Sequence, residues 1–535
     1  MSRSFHNPIL SGCYPDPSIC RLGEDYYLVT STFEYFPGLP VFHSRDLVHW
    51  HQIGHVLDRP SQLDLDEIRP SGGLFAPTIR YSEGTFYVIN TLVDGKRKSG
   101  NFIVTATNPA GPWSEPYWLE AADGFDPSLF FDEDGRVWFT ANRLNELGFY
   151  TGHTEIYLRE LDIENRRLIG EETILWDGAV KGAVWAEAAH IYKVNGYYYL
   201  LIAEGGTAHH HAVTIARSKT VSGPYDSNRG NPILTHRHLG LDYPIVGTGH
   251  ADLVNTQNGE WWMVLLAMRP YGGYYYNLGR ETFLAPVRWE DGWLIVSPGT
   301  GRVEFSYPVP DLQEHSWEPI QKRDDFDDLT LALQWNFLRT PHEDFYSLKE
   351  RRGYLRLRLR PQRLSEQTNP SFIGRRQQHI HFIAQTSFEF TPLKENECAG
   401  LALIQNSNFY FLLVVTEEAK PIVRLIRRAQ GIEEVLAVHT VFPGRIYFKI
   451  EAHEQAYSFY FSNESNDWLM LAENIDGRIL STSVAGGFVG TFIAMYASSN
   501  GQISTNYADF DWFEYIGSDD SGFTPGKIQN ELTPS

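Results

Sequence analysis

Five short aromatic clusters recur at long, even spacing in the first half of this chain, and each is typical of a β-strand that follows a turn. They begin at Tyr26, Phe86, Val137, Tyr197 and Trp261. A spacing of about 50 to 60 residues holds about four strands, which is the content of one blade of a β-propeller. The repeat therefore predicts an all-β fold that begins with five blades.

One position in each repeat carries unusual chemistry. It lies ten or eleven residues before the aromatic cluster, at the start of the strand that should pair with it, and is occupied in turn by Asp16, Ala76, Asp126, Glu187 and His250. The innermost strands of a propeller line its central channel, so these residues should converge on the axis. Clustered acids raise each other's pKa, which favours a catalytic role. Asp-Pro pairs also begin ordinary turns, so a structural role for each single Asp stays open.

The propeller pattern ends after Phe305, and Pro308–Asp311 is typical of a linker. Leu and Arg then alternate from Leu355 to Arg360, which indicates a half-buried antiparallel strand. We expect a propeller over residues 1–307, a linker over 308–322 and a two-sheet β-sandwich over 323–535.

The composition excludes several classes of partner. The chain has 45 Lys and Arg against 66 Asp and Glu, a net charge of −21 that repels nucleic acid and anionic membranes. No apolar run approaches the roughly 18 residues of a membrane span. Three cysteines and a polar start at Met1–His6 predict a cytoplasmic protein without a disulfide framework. Self-association into a homo-oligomer is compatible with this sequence.

Several ordered motifs carry a resemblance to a known family. They are Pro15-Asp16-Pro17-Ser18, Ser31-Thr32-Phe33-Glu34-Tyr35-Phe36-Pro37-Gly38, Ser71-Gly72-Gly73-Leu74-Phe75-Ala76-Pro77, Ala203-Glu204-Gly205-Gly206-Thr207 and Gly279-Arg280-Glu281-Thr282. Together they resemble the β-xylosidase and α-L-arabinofuranosidase branch of glycoside hydrolase family 43. The stretches around Asp324 and Trp335 resemble that branch's accessory domain. The resemblance implies a five-bladed β-propeller followed by a concanavalin-like β-sandwich.

The same resemblance implies roles for the three acids. Asp16 is expected to be the general base, and Asp126 is expected to orient the acid and keep its pKa high. Glu187 is expected to be the general acid. The family's acid is usually followed by Gly-Pro-His or Ala-Pro-His, whereas this chain has Ala188-Ala189-His190 and lacks the proline.

The resemblance also implies a sugar pocket. Arg280 would hydrogen-bond the sugar, and Phe488, in the Gly486–Gly490 loop of the second domain, would cap the site. No cofactor is expected to be required, although His250 would hold a water network or a structural divalent cation such as calcium. The full set of expected substrate-binding residues is Phe33, Phe75, Ala76, Phe125, Thr207, His250, Arg280 and Phe488.

The resemblance implies an exo-acting, inverting glycoside hydrolase. It would release xylose from the non-reducing ends of xylo-oligosaccharides and show α-L-arabinofuranosidase side activity, with arabinosylated oligosaccharides as further substrates. One alternative is that α-L-arabinofuranosidase is the main activity. The other is a carbohydrate-binding propeller without turnover, which the loss of a channel acid would favour.

Overall fold

The computed structural model describes residues 3–465 and 467–520. The chain divides into two compact units, which we call the propeller unit and the sandwich unit. The propeller unit comprises Met1–Pro270 and Arg280–Trp317, and the sandwich unit comprises Tyr271–Gly279 and Glu318–Ser535. The short segment Tyr271–Gly279 therefore belongs with the second unit, although the expected boundaries had placed it within residues 1–307.

The propeller unit contains five antiparallel sheets, which confirms the prediction of five blades. In each blade the innermost strand contains or follows the repeat position. The aromatic cluster forms the second strand, which pairs with the innermost one. The blades consist of Ser18–Leu22, Asp25–Val29, Gly38–Ser44 and His51–Leu57; Thr78–Ser82 with Gly73–Leu74, Thr85–Val93, Gly100–Ala106 and Tyr117–Trp118; Phe125–Phe131, Val137–Leu144, Thr154–Asp162 and Arg167–Trp176; Glu187–Val194, Tyr197–Glu204, Ala212–Ser218, and Asp226–Ser227 with Leu234–Thr235; and Val246–Asn255, Trp261–Met268, Glu281–Glu290 and Trp293–Val296.

Apolar side chains between neighbouring blades form the core of the propeller unit. One cluster joins the fourth, fifth and first blades through residues such as Leu201, Val264 and Ile19. Ile89 and Phe139 belong to a second cluster, which joins the second and third blades. Because the strands are buried on both faces, the aromatic clusters read as continuous apolar runs in the sequence.

The ends of the propeller unit are joined by its N-terminal strand. Ser4–His6 pairs with Ser306–Pro308. The Asn7 side chain donates to the Leu284 carbonyl and accepts from the Leu284 N–H, both at 2.9 Å. The N-terminus thereby connects to the fifth blade, which closes the ring of blades.

The sandwich unit contains two antiparallel sheets, as the alternating pattern predicted. One sheet has the order Tyr346–Ser347, Leu355–Arg358, Tyr507–Ser518, His381–Phe390, Gly444–His453, Ala456–Ser462 and Leu469–Asp476, with Arg323–Asp324 beside Tyr507–Ser518. The other has the order Ser371–Arg376, Phe492–Ser498, Cys398–Asn406, Phe409–Glu417, Pro421–Ala429 and Ile432–Thr440. The sandwich unit also contains the two-residue strand Phe337–Leu338, a 3₁₀ turn at Gly477–Leu480 and a short helix at Thr482–Ala485, and the propeller unit contains the two-residue strand Tyr35–Phe36. No helix in the described part of the chain is long and apolar enough to cross a membrane.

The innermost strands are irregular at the repeat position. The pairing register shifts just after Phe125, Glu187 and Gly249 in three of the blades. Asp126 and His250 adopt positive φ angles of 50° and 48° at these irregularities. A bulge in a strand turns one side chain away from the regular alternation, and left-handed backbone in non-glycine residues is concentrated at functional sites. The strands are therefore distorted where the repeat residues face the channel.

Deeper along the same strands, every blade contributes to one buried polar cluster, which we call the axial network. Its centre is Asp252, whose carboxylate accepts from Arg80 Nη1 at 2.9 Å, Ser18 Oγ at 2.7 Å and Tyr192 Oη at 2.5 Å. Arg80 also donates to His190 Nδ1 at 2.9 Å. The members are Ser18, Arg80, Ser128, His190, Tyr192 and Asp252. This cluster links all five blades across the axis.

Replacing Asp252 with Ala should destabilise the propeller unit strongly. The Asp252 side chain is fully buried, so its removal leaves the guanidinium of Arg80 without its main partner. Breaking a buried ion pair in this way costs about 3–5 kcal/mol. Urea unfolding would measure the loss. Asp134→Ala, which removes an exposed pair with Arg136, serves as the control and should leave the unfolding midpoint unchanged. Equal midpoints for both variants would contradict a central role for Asp252.

Candidate active site

The structure brings the repeat residues to the inner edge of the blades. Asp16 and Ala76 each lie two residues before an innermost strand, whereas Asp126, Glu187 and His250 lie within one. The backbone N–H of Ala76 donates to the carboxylate of Asp126, so neighbouring blades are in direct contact here. The sequence repeat thus predicted a real spatial cluster.

Arg280 supplies the positive charge of the site. Its Nη1 donates to Asp16 Oδ1 at 2.8 Å and to Thr207 Oγ1 at 3.0 Å, and its Nη2 donates to Asp16 Oδ2 at 3.4 Å. Both Arg280 and Asp16 are buried. A two-pronged guanidinium contact fixes the plane of a carboxylate as well as its charge.

Asp16 is held in its ionised form. Burial alone would raise its pKa, but Arg280, His250 and a hydrogen bond from Ser31 together hold the pKa below its usual value. The Ser31 hydroxyl donates to Asp16 Oδ2 at 2.6 Å. Asp16 is therefore a carboxylate throughout the neutral pH range.

Asp126 and Glu187 are shifted in the opposite direction. Burial, followed by the charge of Asp16, raises the pKa of Asp126. Burial, followed by the charges of Asp126 and Asp16, raises the pKa of Glu187 well above its usual value. Because interacting carboxyls titrate as a pair, at least one proton stays on this pair near neutral pH. The site thus combines an ionised acid with a protonated one.

His250 lies beside the ionised acid. Its Nδ1 is 3.5 Å from Asp16 Oδ1, and burial lowers the pKa of His250, so the ring is neutral near pH 7. Among residues 3–465 and 467–520, His250 belongs to no group of three or more side chains that could hold a metal ion. A structural divalent cation at His250 stays a prediction. A role in a water network stays a prediction.

Three phenylalanines form an aromatic wall. The ring centroids of Phe33 and Phe75 are 5.8 Å apart, and those of Phe75 and Phe125 are 6.2 Å apart, both edge to face. The guanidinium carbon of Arg280 lies 5.4 Å from the centre of the Phe33 ring. Phe33 is buried, but Phe75 and Phe125 are partly exposed, so they offer apolar surface to a ligand. Such rings stack well on the faces of sugars.

Two further expected features are Phe488 and the residues that follow Glu187. Phe488 is half-buried in the sandwich unit and follows the short helix Thr482–Ala485, so its role as a cap stays a prediction. Ala188, which follows Glu187, has a φ of 56°. Left-handed backbone at Ala188 costs about 1 kcal/mol relative to glycine. The general-acid position is therefore followed by strained backbone.

Sequence reasoning missed the axial network, and it assigned no site role to His211, for which a surface or packing role was preferred to metal binding. The signal for the network was available, because Ser18, Ser128 and Asp252 each lie two residues after a repeat position and point to the same side of their strands. His211 had no such signal. It precedes the strand Ala212–Ser218, is fully buried, and donates from Nδ1 to the carbonyl of Gly247 at 3.1 Å. Burial, followed by the nearby His250, lowers the pKa of His211 to about 3.

An ionised carboxylate and a carboxyl with a raised pKa in one cluster are the two groups that a glycoside hydrolase requires. Comparison with known proteins specifies the family. Residues 5–294 match Glycosyl hydrolases family 43, and residues 323–516 match the β-xylosidase C-terminal concanavalin A-like domain. The chain therefore belongs to glycoside hydrolase family 43, as the resemblance implied, and the alternative of a propeller that only binds carbohydrate is not retained.

The similarity to known proteins covers nearly the whole chain. A xylosidase/arabinosidase of Butyrivibrio fibrisolvens is 47% identical over 515 residues, covering 95% of this chain and 98% of that protein. A non-reducing end α-L-arabinofuranosidase of Bacteroides ovatus is 44% identical and covers 96% and 95%. The crystal structure of a xylan β-1,4-xylosidase from Bacillus halodurans superimposes with a TM-score of 0.91 at 38% identity, covering 96% and 99%.

The raised pKa of Glu187 predicts a pH-dependent effect on stability. The folded protein keeps a proton on Glu187 that the unfolded chain loses above its ordinary pKa of 4.5. The wild-type protein is therefore progressively destabilised by Glu187 as the pH rises, and Glu187→Gln lacks this contribution. The advantage of the variant in free energy of unfolding should be larger at pH 8 than at pH 5, by about 1–4 kcal/mol.

Urea unfolding at the two pH values measures this difference. Glu171→Gln, at an exposed position of the third blade, is the matched control and should behave like the wild type at both pH values. An advantage of Glu187→Gln that is equal at pH 5 and pH 8 would show that Glu187 is not held protonated.

Proposed function

We propose that this enzyme acts on the non-reducing ends of xylo-oligosaccharides and releases xylose, with α-L-arabinofuranosidase side activity. One observation supports the catalytic assignment above all others: Arg280 binds the carboxylate of Asp16 and lowers its pKa, whereas burial raises the pKa of Glu187 beside the same channel. Glycoside hydrolysis requires this division between an acid that protonates the leaving oxygen and a carboxylate that acts on the other reactant.

The proposed mechanism inverts the configuration of the anomeric carbon. Glu187 donates its proton to the glycosidic oxygen as the bond between that oxygen and the anomeric carbon breaks. Asp16 accepts a proton from a water molecule whose oxygen bonds to the anomeric carbon, so no covalent enzyme intermediate forms. Asp126 raises the pKa of Glu187 and orients it. The pKa shifts of Asp16 and Glu187 thus have the directions that their proposed roles need.

The proposed sugar contacts follow from the same geometry. Arg280 presents a planar donor fork, which can serve neighbouring hydroxyls of a pentose while it holds Asp16. Phe33, Phe75 and Phe125 supply the apolar face of the pocket. We further propose that Phe488 closes the pocket over the sugar, which would limit entry to chain ends.

The substrate class rests on the names of similar proteins. Those names include xylosidase/arabinosidase, non-reducing end α-L-arabinofuranosidase and xylan β-1,4-xylosidase. β-Xylopyranose and α-L-arabinofuranose present overlapping hydroxyl geometry, so one pocket can accept both. The likeness to the α-L-arabinofuranosidase of Bacteroides ovatus, at 44% identity, favours a second candidate in which that activity is the main one.

Kinetics on two aryl glycosides would decide between the candidates. We expect a higher kcat/KM on the aryl β-xylopyranoside than on the aryl α-L-arabinofuranoside, because xylosidase is the proposed main activity. Proton NMR within seconds of mixing should show α-xylose as the first product of the β-xyloside. A higher kcat/KM on the arabinofuranoside would show that α-L-arabinofuranosidase is the main activity. Initial release of β-xylose would show that the mechanism is retaining and would reject the inverting one.

Replacements of the two acids should differ in their dependence on the leaving group. Glu187→Ala should reduce activity on xylobiose far more than on an activated aryl xyloside, because only a poor leaving group needs protonation. Asp16→Gly should abolish turnover of both substrates, since both need an activated water. Loss of activity by equal factors in Glu187→Ala would reject the acid assignment. Substantial turnover of the aryl xyloside by Asp16→Gly would reject the base assignment.

The proposed cap has its own test with the same substrates. Phe488→Ala should weaken binding of xylobiose by about 1–3 kcal/mol, the contribution of one buried aromatic ring. The KM for xylobiose and the melting temperature would be measured together. Unchanged kinetic constants in a folded Phe488→Ala protein would show that Phe488 does not reach the sugar.

A further inference from the structure

The segment Tyr271–Gly279 joins two strands of the fifth blade but belongs to the sandwich unit. It follows the strand Trp261–Met268 and precedes Glu281–Glu290 in the chain, while its own contacts lie within the sandwich unit. Its sequence, Tyr-Gly-Gly-Tyr-Tyr-Tyr-Asn-Leu-Gly, is rich in large side chains. Asn277 and Leu278 are fully buried. A loop this deeply buried needs partners for its backbone and side-chain polar groups.

Asn277 is the centre of these contacts. Its Nδ2 donates to Tyr457 Oη at 3.1 Å and to the carbonyl of Gly477 at 3.0 Å, and its Oδ1 accepts from Gln455 Nε2 at 3.1 Å. Its backbone carbonyl accepts from the N–H of Thr491 at 2.8 Å. Both amide donors and the amide acceptor are thus used. No other side chain of this size offers two donors and an acceptor in one plane.

Further bonds fix the residues on either side of Asn277. The Tyr276 N–H donates to Ser481 Oγ at 2.8 Å, and Ser483 Oγ donates to the carbonyl of Tyr274 at 2.9 Å. The Leu278 carbonyl lies so close to Gly490 that a Cβ there would come within 2.5 Å of its oxygen. Gly490 is therefore needed for backbone-to-backbone contact with the segment. The whole segment is held, and not only its central residue.

The segment ends at the residue before Arg280. On the C-terminal side, Arg280 is followed by Glu281, which pairs with Arg269 at 2.7 Å within the propeller unit. The Arg280 carbonyl accepts from the N–H of Tyr14 at 3.1 Å. Three residues span at most about 10 Å, so a shift at Asn277 reaches Arg280 through very little intervening chain.

We propose that Asn277 is a positioning residue: by fixing the segment Tyr271–Gly279, it sets the place of the adjoining Arg280 against Asp16. The proposal rests on the proposed function, in which Asp16 is the base and Arg280 contacts the sugar. The hydrogen-bond partners of the Asn277 side chain are Tyr457, Gly477 and Gln455, and neither Asp16 nor Arg280 is among them. Its effect is on geometry, because the Arg280–Asp16 contact is 2.8 Å long and a misplacement of about 1 Å can reduce a rate by about 100-fold.

A double-mutant cycle tests this proposal. The four proteins are the wild type, Asn277→Ala, Arg280→Ala and the double variant, and the readout is kcat/KM on the activated aryl xyloside. Asn277→Ala should lower kcat/KM at least about tenfold in the wild-type background. In the Arg280→Ala background it should change kcat/KM less than about twofold, because the group that it positions is already gone.

Asn369→Ala is the matched control. Asn369 is a buried amide of the sandwich unit that donates to the carbonyl of Leu338 at 3.0 Å and accepts from Arg360 at 2.9 Å, with no bond to the segment. It should cause a comparable loss of melting temperature while leaving kcat/KM within about twofold of the wild type. Asn277→Ala would overturn the proposal if it left kcat/KM unchanged in a folded protein, or lowered it by the same factor in both backgrounds.

A milder pair keeps the test usable if Asn277→Ala does not fold. Tyr457→Phe removes one acceptor of Asn277, whereas Tyr410→Phe removes a hydroxyl that bonds to Glu433 elsewhere in the sandwich unit. Only Tyr457→Phe should lower kcat/KM, and only in the presence of Arg280; equal values for the two variants would overturn the proposal. Failure of the proposed function is recognised separately, because Asp16→Gly would then remain active. Loss of activity in Asp16→Gly together with an additive Asn277–Arg280 cycle would reject the positioning role alone.

Discussion

The buried ion pair between Arg80 and Asp252 is the interaction on which the propeller depends. Arg80 comes from the second blade and Asp252 from the fifth, and the hydrogen bonds around them reach the other three. A buried pair of charges stabilises little by itself, since desolvation opposes the attraction. Its effect here is to specify one arrangement, because only one register of the five inner strands satisfies every member. The positions of the catalytic candidates follow from that register.

Above this network the electrostatics are set by a single cation. Three carboxyls and one guanidinium share a small buried volume. The guanidinium lowers the free-energy cost of ionising one acid, whereas ionising the others remains costly. The contact of Arg280 with Asp16 selects which acid that is. The difference in pKa between the acids therefore depends on the position of Arg280. Without this arginine, the charge that favours ionisation of Asp16 over the other two carboxyls would be lost. This makes the backbone on both sides of Arg280 as relevant to the chemistry as its side chain.

The repeat in the sequence was enough to predict the blades and to bring Asp16, Asp126 and Glu187 together, because equivalent positions in a radial repeat must converge. It could not reveal the register shifts at Asp126 and His250, which depend on how each inner strand pairs. Asp252 lies two residues after His250, but its ion pair could not be predicted because the partner, Arg80, comes from a blade far away in the chain. The enclosure of Asn277 was beyond any local pattern, since its partners lie about 180 to 210 residues later.

The axial network also makes the channel a dead end. Its polar side chains occupy the inner strands beyond the repeat residues, and Ser18, His190 and Asp252 are almost fully buried. A sugar that reaches Asp16 and Glu187 cannot leave on the far side, so the released monosaccharide must go out through the opening by which the substrate came in. No polymer can be threaded past the acids, and each departing sugar delays the next arrival. Substrate and free product therefore use the same opening, in opposite directions.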